Sequence, residues 1–320
     1  MKKTPLIIIL GPTASGKTAL SLDIAQHLNT EIISADSMQV YKHMNIGTAK
    51  PTLEERRGIV HHLIDEVMPS DEFNVVRYVE LAHSRIADIH AKGKVPVVVG
   101  GTGLYIDSLV DNVSFGETAV DYELRDKFAK MASVKGNEHI HQLLEQVDPQ
   151  SANRIHCNNL KRVIRALEVY YTSGKTMTEH QSVSKINTSP YDAITFMPVW
   201  DREALYERID MRVDIMMHDG LIDEVESLIK MGYNRGLISM QGIGYKEVLD
   251  YYYGLAILPD TVDIIKRNTR RYAKRQITWF KRNADIIELD AMSPNISKEC
   301  IDIVNRWVCE RNDTCECVKA

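Results

Sequence analysis

Residues 6–18 read LIIILGPTASGKT. Five successive apolar residues, Leu6–Leu10, run straight into a glycine, the pattern of a strand buried on both faces of a parallel sheet. The next eight, Gly11, Pro12, Thr13, Ala14, Ser15, Gly16, Lys17 and Thr18, match G-x-x-x-x-G-K-[ST] at every specified position. Gly11 and Gly16 let the backbone turn so that consecutive N–H groups face anionic oxygens. A helix expected over Ala19–Leu28 adds its positive end. Lys17 supplies a full charge, and the Thr18 hydroxyl can hold Mg²⁺. The loop predicts a seat for a di- or triphosphate, without saying that phosphate is what moves.

Working outward, Glu31–Ser34 reads as a second strand with Asp36 just past its end. Val75, Val79, Ala82, Ile86 and Ile89 recur at helical spacing, and Gly93 closes that helix. Val95–Val99 is a third buried strand, followed at once by Gly100, Gly101, Thr102 and Gly103. Alternating strands and helices imply a parallel sheet with right-handed crossovers, whose ligands lie at the carboxyl ends of the strands. Gly11–Thr18, Asp36 and Thr102 are therefore expected to converge. From about Ala119 to Tyr191 the pattern is helical, including a helix over Lys161–Tyr171 ended by Gly174. Ala193–Trp200 reads as a strand. Helices follow over Arg202–Met217, Ile222–Met231 and about Thr261–Arg282, then a strand over Ile286–Leu289. The expected fold is α/β: a P-loop parallel sheet flanked by helices, with a helical insertion domain. The boundaries read as a core in two parts (1–118 and 192–310), an insertion (119–191) and a tail (311–320).

The chain has 320 residues, 44% hydrophobic and 26% charged, an ordinary balance for a folded domain. Its first apolar stretch is too short for a signal segment or a membrane span, so a cytoplasmic protein without membrane contact is expected. Cys157, Cys300, Cys309, Cys315 and Cys317 are odd in number and lack paired zinc spacing, which suggests thiols. The net charge of −5 hides a local run, KRNTRRYAKRQITWFKR (266–282), with eight basic residues and no acid. Arg267, Arg271 and Arg275 fall at steps of four within it. Such a run is either a solvated helix face or a seat for polyanions. Trp279 and Phe280 could stack bases, though helical spacing favours the core. His61–His62 and His139–His141 have no partner cluster and read as ordinary polar residues.

Asp36 has three readings: a metal ligand, a general base, or a turn aspartate. Thr102 could cap the next helix or bond a transition-state oxygen.

Six stretches then occur in order: GPTASGKT, DSMQVYKHMNIGTAKP, VPVVVGGTGLY, NNLKRVIRALEVYYTSGKT, GIGYKE and RRYAKRQITWFKR. Together they closely resemble the bacterial tRNA dimethylallyltransferases, over about Pro5–Arg282. The resemblance implies transfer of a dimethylallyl group from its diphosphate to N6 of adenosine 37 in tRNA, with the P-loop holding the diphosphate. It implies Asp36 as catalytic base, Thr102 beside the reacting adenine and Arg212 on the pyrophosphate, with Lys17 and a Thr18-bound Mg²⁺ assisting. It implies tRNA contacts at Asp36, Ser37, Met38, Gln39, Arg125, Leu160, Lys161, Arg162, Val163 and Ile164. A further contact is implied over Gln241, Gly242, Ile243, Gly244, Tyr245 and Lys246. Lys161 departs from the family, many of whose members carry glutamine there. From charge and helical spacing, Arg165, Arg271 and Arg275 join the expected tRNA surface, which would take the anticodon stem-loop. A monomer is expected. Competing readings are a small-molecule P-loop kinase, a cytokinin-type prenyltransferase acting on free nucleotides, and a non-catalytic nucleic-acid module switched by nucleotide.

Overall fold

The register of the sheet decides where the site lies. The computed structural model describes residues 3–112, 120–184 and 188–311. In chain order the elements are β1 (Thr4–Leu10), α1 (Lys17–His27), β2 (Ile32–Ala35), β3 (His61–His62), α2 (Val75–Ala91), β4 (Val97–Gly100) and α3 (Gly103–Val110). Then come α4 (Tyr122–Lys135), α5 (Asn137–Val147), α6 (Pro149–Arg154), α7 (Leu160–Ser173) and α8 (Met177–Ser184). The chain finishes with β5 (Tyr191–Val199), α9 (Arg202–His218), α10 (Leu221–Lys230), α11 (Tyr245–Tyr252), α12 (Leu258–Phe280), β6 (Ile287–Asp290) and α13 (Ile296–Cys309). It divides into two compact units, Met1–Val110 with Pro190–Ala320, and Asp111–Ser189.

In the first unit six parallel strands form one sheet in the order β3-β2-β4-β1-β5-β6. Leu6–Leu10 are at most 3% exposed, as a strand covered on both faces must be. Ile7 and Ile9 pack with Leu20 and Ile24 of α1 and with Cys300, Val304 and Trp307 of α13. Leu10 and Ala35 both pair with Gly100, so β1, β2 and β4 end level. Gly11, Asp36 and Gly101 therefore leave the sheet side by side, and the Thr102 N–H donates to the Ala35 carbonyl at 3.2 Å.

Several boundaries differ from expectation. Helix α1 starts two residues early because Gly16, at φ 87°, is its left-handed N-cap, which places Lys17 and Thr18 in the first turn. Helix α12 starts at Leu258 because Pro259 suits the first helical turn, and it stops at Phe280. The two-residue β3, α11 and α13 were not anticipated: β3 is too short to show a period, and the apolar stripe of α13 is built from Cys300, Val304 and Trp307.

Among the described residues, the elements of the second unit are helices, with Phe128, Ile140, Leu144, Val163, Ile164 and Leu167 in its core. Asp148 caps α6 through the Ser151 N–H (3.0 Å) and also accepts the Thr178 N–H (3.1 Å), joining α6 to α8. Gly174, at φ 70°, ends α7 as read from the sequence. Glu168, a fully buried carboxylate, accepts from Arg125 Nε (2.9 Å), Arg165 Nη1 (2.6 Å) and the Asp121 N–H (2.8 Å). Burial works to raise the pKa of Glu168. The bonds to Arg125, Arg165 and Asp121 outweigh it and hold the group below the usual carboxylate range.

Candidate active site

At the carboxyl ends of β1, β2 and β4 lies a cavity of about 400 Å³, lined by Thr13, Lys17, Thr18, Asp36 and Arg212 among others. Gln39 enters its wall from the turn after β2, Gln241, Gly242, Ile243 and Gly244 enter ahead of α11, and Lys246 enters from its first turn.

The phosphate loop is braced from outside. Trp200 Nε1 donates to the Ser15 carbonyl at 2.8 Å and Arg208 Nε to the Ala14 carbonyl at 3.0 Å; the Arg208 guanidinium stacks 4.3 Å above the Trp200 ring. These two bonds tie the loop to Trp200 and to α9. Lys17 Nζ contacts the Pro12 carbonyl at 3.2 Å, and Arg212 reaches Thr13 Oγ1 at 3.5 Å. Burial first, then the charge of Arg212, push the Lys17 pKa down to about 8, against the pull of Asp36. Two cations this close with one carboxylate opposite leave the pocket short of negative charge.

Asp36 Oδ1 accepts the N–H groups of Met38 (2.8 Å) and Gln39 (3.3 Å). Asp36 is thus a turn aspartate and a pocket-lining carboxylate at once. The Ser37 N–H donates to Thr102 Oγ1 at 3.2 Å, which sets Thr102 beside Asp36. Tyr272 lines the same cavity beside Thr102. Burial, followed by the charge of Asp36, pushes its pKa up to about 12, so the phenol stays protonated.

Helix α9 supplies a wall that the sequence reading did not foresee. Ile209, Arg212, Val213 and Met216 line the cavity at helical spacing, and Ile265 of α12 joins them. One stripe thus carries a cation for an anionic head and an apolar bed for a hydrocarbon tail. The spacing was visible in ERIDMRVDIMMH, where only Arg212 was singled out. Glu224 was also missed. Its carboxylate accepts the N–H groups of Asn45 (2.8 Å), Ile46 (2.8 Å) and Gly47 (3.2 Å) and the Tyr245 hydroxyl (2.6 Å), fixing the loop opposite Asp36.

Other expected residues lie elsewhere. Tyr245 is fully buried under Gly47 and bonded to Glu224, so its side chain builds the wall and has no surface to offer RNA. Val163 and Ile164, at 0% and 7% exposure, are core residues of the helical unit; the exposed positions on that stretch of α7 are Lys161 and Arg162, while Leu160 is half-buried. Arg125 and Arg165 share Glu168, so the trio carries one net positive charge. On α12, Lys266 and Arg270 pair with Asp214 and Asp210 of α9, whereas Arg267, Arg271, Lys274 and Arg275 are exposed. Trp279 donates to Asp107, and Phe280 is buried. His62 bonds Glu31, and His141 bonds the Ala152 and Ile155 carbonyls. Cys315 and Cys317 lie outside the described residues. No described helix is long and apolar enough to cross a membrane.

Comparison with known proteins converges on one kind of relative. The profile of the family described as IPP transferase matches residues 39–283. A tRNA dimethylallyltransferase of Acetivibrio thermocellus is 54% identical over 277 residues, covering 87% of this chain and 88% of its own. The solved tRNA isopentenylpyrophosphate transferase of Bacillus halodurans is 42% identical, covers 96% of each chain and has a TM-score of 0.72. A eukaryotic dimethylallyltransferase solved acting on tRNA is 33% identical, with a TM-score of 0.82 over 98% of this chain and 81% of its own.

Proposed function

This chain belongs to the IPP transferase family, and from that membership we propose that it transfers the dimethylallyl group of dimethylallyl diphosphate to N6 of adenosine 37 in tRNA, releasing pyrophosphate. The observation that carries the reading is the composition of one cavity: Lys17 and Arg212 at an anion seat, the apolar side chains of Ile209, Val213, Met216 and Ile265, and the Asp36 carboxylate. A diphosphate headgroup, a short branched hydrocarbon and an attacking amine need these three environments.

An exocyclic adenine amine is a weak nucleophile because its lone pair is delocalised into the ring. As the N6–carbon bond forms and the carbon–oxygen bond to diphosphate breaks, the amine must lose a proton; Asp36 accepts it. Charge accumulates on the departing pyrophosphate, where the loop N–H groups, Lys17 and Arg212 stabilise it. Preorganised donors of this kind contribute about 3 kcal/mol each. The apolar side chains keep water from the cation-like carbon. Extruding the base from the anticodon loop costs a few kcal/mol, which Lys161, Arg162, Arg267, Arg271 and Arg275 offset by binding phosphates.

Mg²⁺ fits this donor set. Thr18 presents a hydroxyl in the first turn of α1, and no group of three or more His, Cys, Asp or Glu able to hold a metal occurs among the described residues. Substrate oxygens would complete the shell, the usual arrangement for Mg²⁺. Bound there with Thr18, it would neutralise charge on the leaving group.

The test is transfer of label from dimethylallyl diphosphate to unmodified tRNA, with AMP as a second acceptor and labelled ATP as a second donor. Label on tRNA alone is expected. Phosphate moving from ATP, or label on AMP and none on tRNA, would overturn the reading.

A further inference from the structure

The Gln276 side chain, 6% exposed on α12, uses both ends of its amide. Its Oε1 accepts the Thr13 N–H at 3.0 Å, and its Nε2 donates to the Gly101 carbonyl at 2.8 Å. Thr13 belongs to the phosphate loop after β1, and Gly101 belongs to the loop after β4 that carries Thr102. A single side chain thus spans the two loops that hold the two halves of the site. The fit leaves no slack: a Cβ on Gly101 would lie 2.3 Å from Gln276 Nε2.

Neighbours on the same face of α12 reinforce the connection. Tyr272 lies beside Thr102. Trp279 Nε1 donates to Asp107 at 2.8 Å, and its ring sits where a Cβ on Gly103 would approach within 2.3 Å. Residues 272, 276 and 279 thus latch three consecutive residues, Thr102, Gly101 and Gly103, to one helix. Other positions of that helix expose Arg267, Arg271 and Lys274.

A primary amide accepts from an N–H and donates to a carbonyl in one group. A carboxylate accepts but does not donate, and a hydrocarbon does neither. Loss of the amide leaves Thr13 N–H or the buried Gly101 carbonyl without its partner.

We propose that Gln276 is a positioning residue for the transfer reaction: it sets the spacing between the diphosphate seat and the Thr102 loop, and ties both to the helix that carries the exposed arginines. This rests on the prenyl-transfer reading above. Diphosphate affinity comes from Lys17, Arg212 and the loop amides, and RNA affinity from the surface cations. Loss of the bridge therefore spares binding and slows the chemical step.

The test uses the full chain and single-turnover transfer to saturating unmodified tRNA, comparing wild type with Gln276→Glu and Gln276→Leu. Gln276→Glu keeps the shape and the acceptor for Thr13, and loses the donor to Gly101 while ionised. A misplacement of this order costs about 100-fold in rate, and KM for both substrates stays within about three-fold. Should Gln276→Leu fail to fold, Gln276→Glu carries the comparison. A near-wild-type rate in Gln276→Glu, or a raised KM at unchanged kcat, would each overturn the proposal. Absence of transfer by the wild-type chain would instead remove the prenyl-transfer reading, so the two failures are distinct.

Discussion

Lys17, proposed to hold the diphosphate, sets the expected pH dependence of its capture. Burial and the charge of Arg212 disfavour its ammonium and bring its pKa down to about 8. A bound diphosphate favours the ammonium and raises that value, so binding takes up a proton once the pH exceeds about 8. Affinity for dimethylallyl diphosphate is therefore expected to be level from pH 6.5 to 7.5. It should then fall by up to about tenfold per pH unit above 8. Calorimetric titrations in two buffers of different ionisation enthalpy check both the affinity and the proton uptake. Asp36 is a case where three readings of one residue were open in the sequence. Its Oδ1 serves the turn, so the turn role and the proposed base role are compatible. Asp36→Asn keeps an acceptor for Met38 and Gln39 and removes the base. It is expected to lower kcat by about 10²–10⁴-fold with diphosphate affinity preserved; a near-normal kcat would remove Asp36 from the chemistry. Gln276 was not legible at all. A glutamine at helical spacing looks like any surface residue until the fold brings Thr13 and Gly101 to it.

At the scale of elements, helices whose apolar stripe is long and regular were readable, and the partners of their polar residues were not. The run Lys266–Arg282 shows eight basic residues and no acid, as a solvated face or a seat for polyanions would. Asp210 and Asp214, two of the acids on α9, neutralise Arg270 and Lys266, and nothing local to the run announces them. Neutralising Arg271 and Arg275 together is expected to weaken tRNA binding and to lower the slope of log affinity against log salt by about 1.5. A slope equal to wild type would assign that face to solvent. On α7, removing the carboxylate of Glu168 leaves Arg125 and Arg165 facing one another. Because both guanidiniums are about one-third exposed, the cost falls below that of a wholly buried pair. Glu168→Gln is expected to destabilise the helical unit by about 2 kcal/mol, read as a lower urea midpoint.

For the molecule as a whole, the class of fold followed from Leu6–Thr18 and the alternation after it, because buried parallel strands and phosphate loops have strong local signatures. Strand order and the level ends of β1, β2 and β4 depend on pairing between distant segments, which periodicity does not record. All the cavity-lining residues belong to the first unit. Dimethylallyl diphosphate at 100 times its Kd is therefore expected to stabilise that unit by about 2.7 kcal/mol. Lys17→Ala should abolish most of this shift in scanning calorimetry, whereas Glu168→Gln should leave it intact. The pairing of β1 with β5 also bears on synthesis. About 90 residues separate the end of β4 at Gly100 from Tyr191, which a ribosome needs roughly 5 to 20 s to add. During that interval the nascent chain holds an apolar strand with one edge bare, while the intervening helices can form from neighbouring residues as they emerge. Slow codons or stalling in that stretch would prolong exposure of a sticky edge, so the yield of active protein in the cell should track translation speed between β4 and β5 more closely than elsewhere in the message.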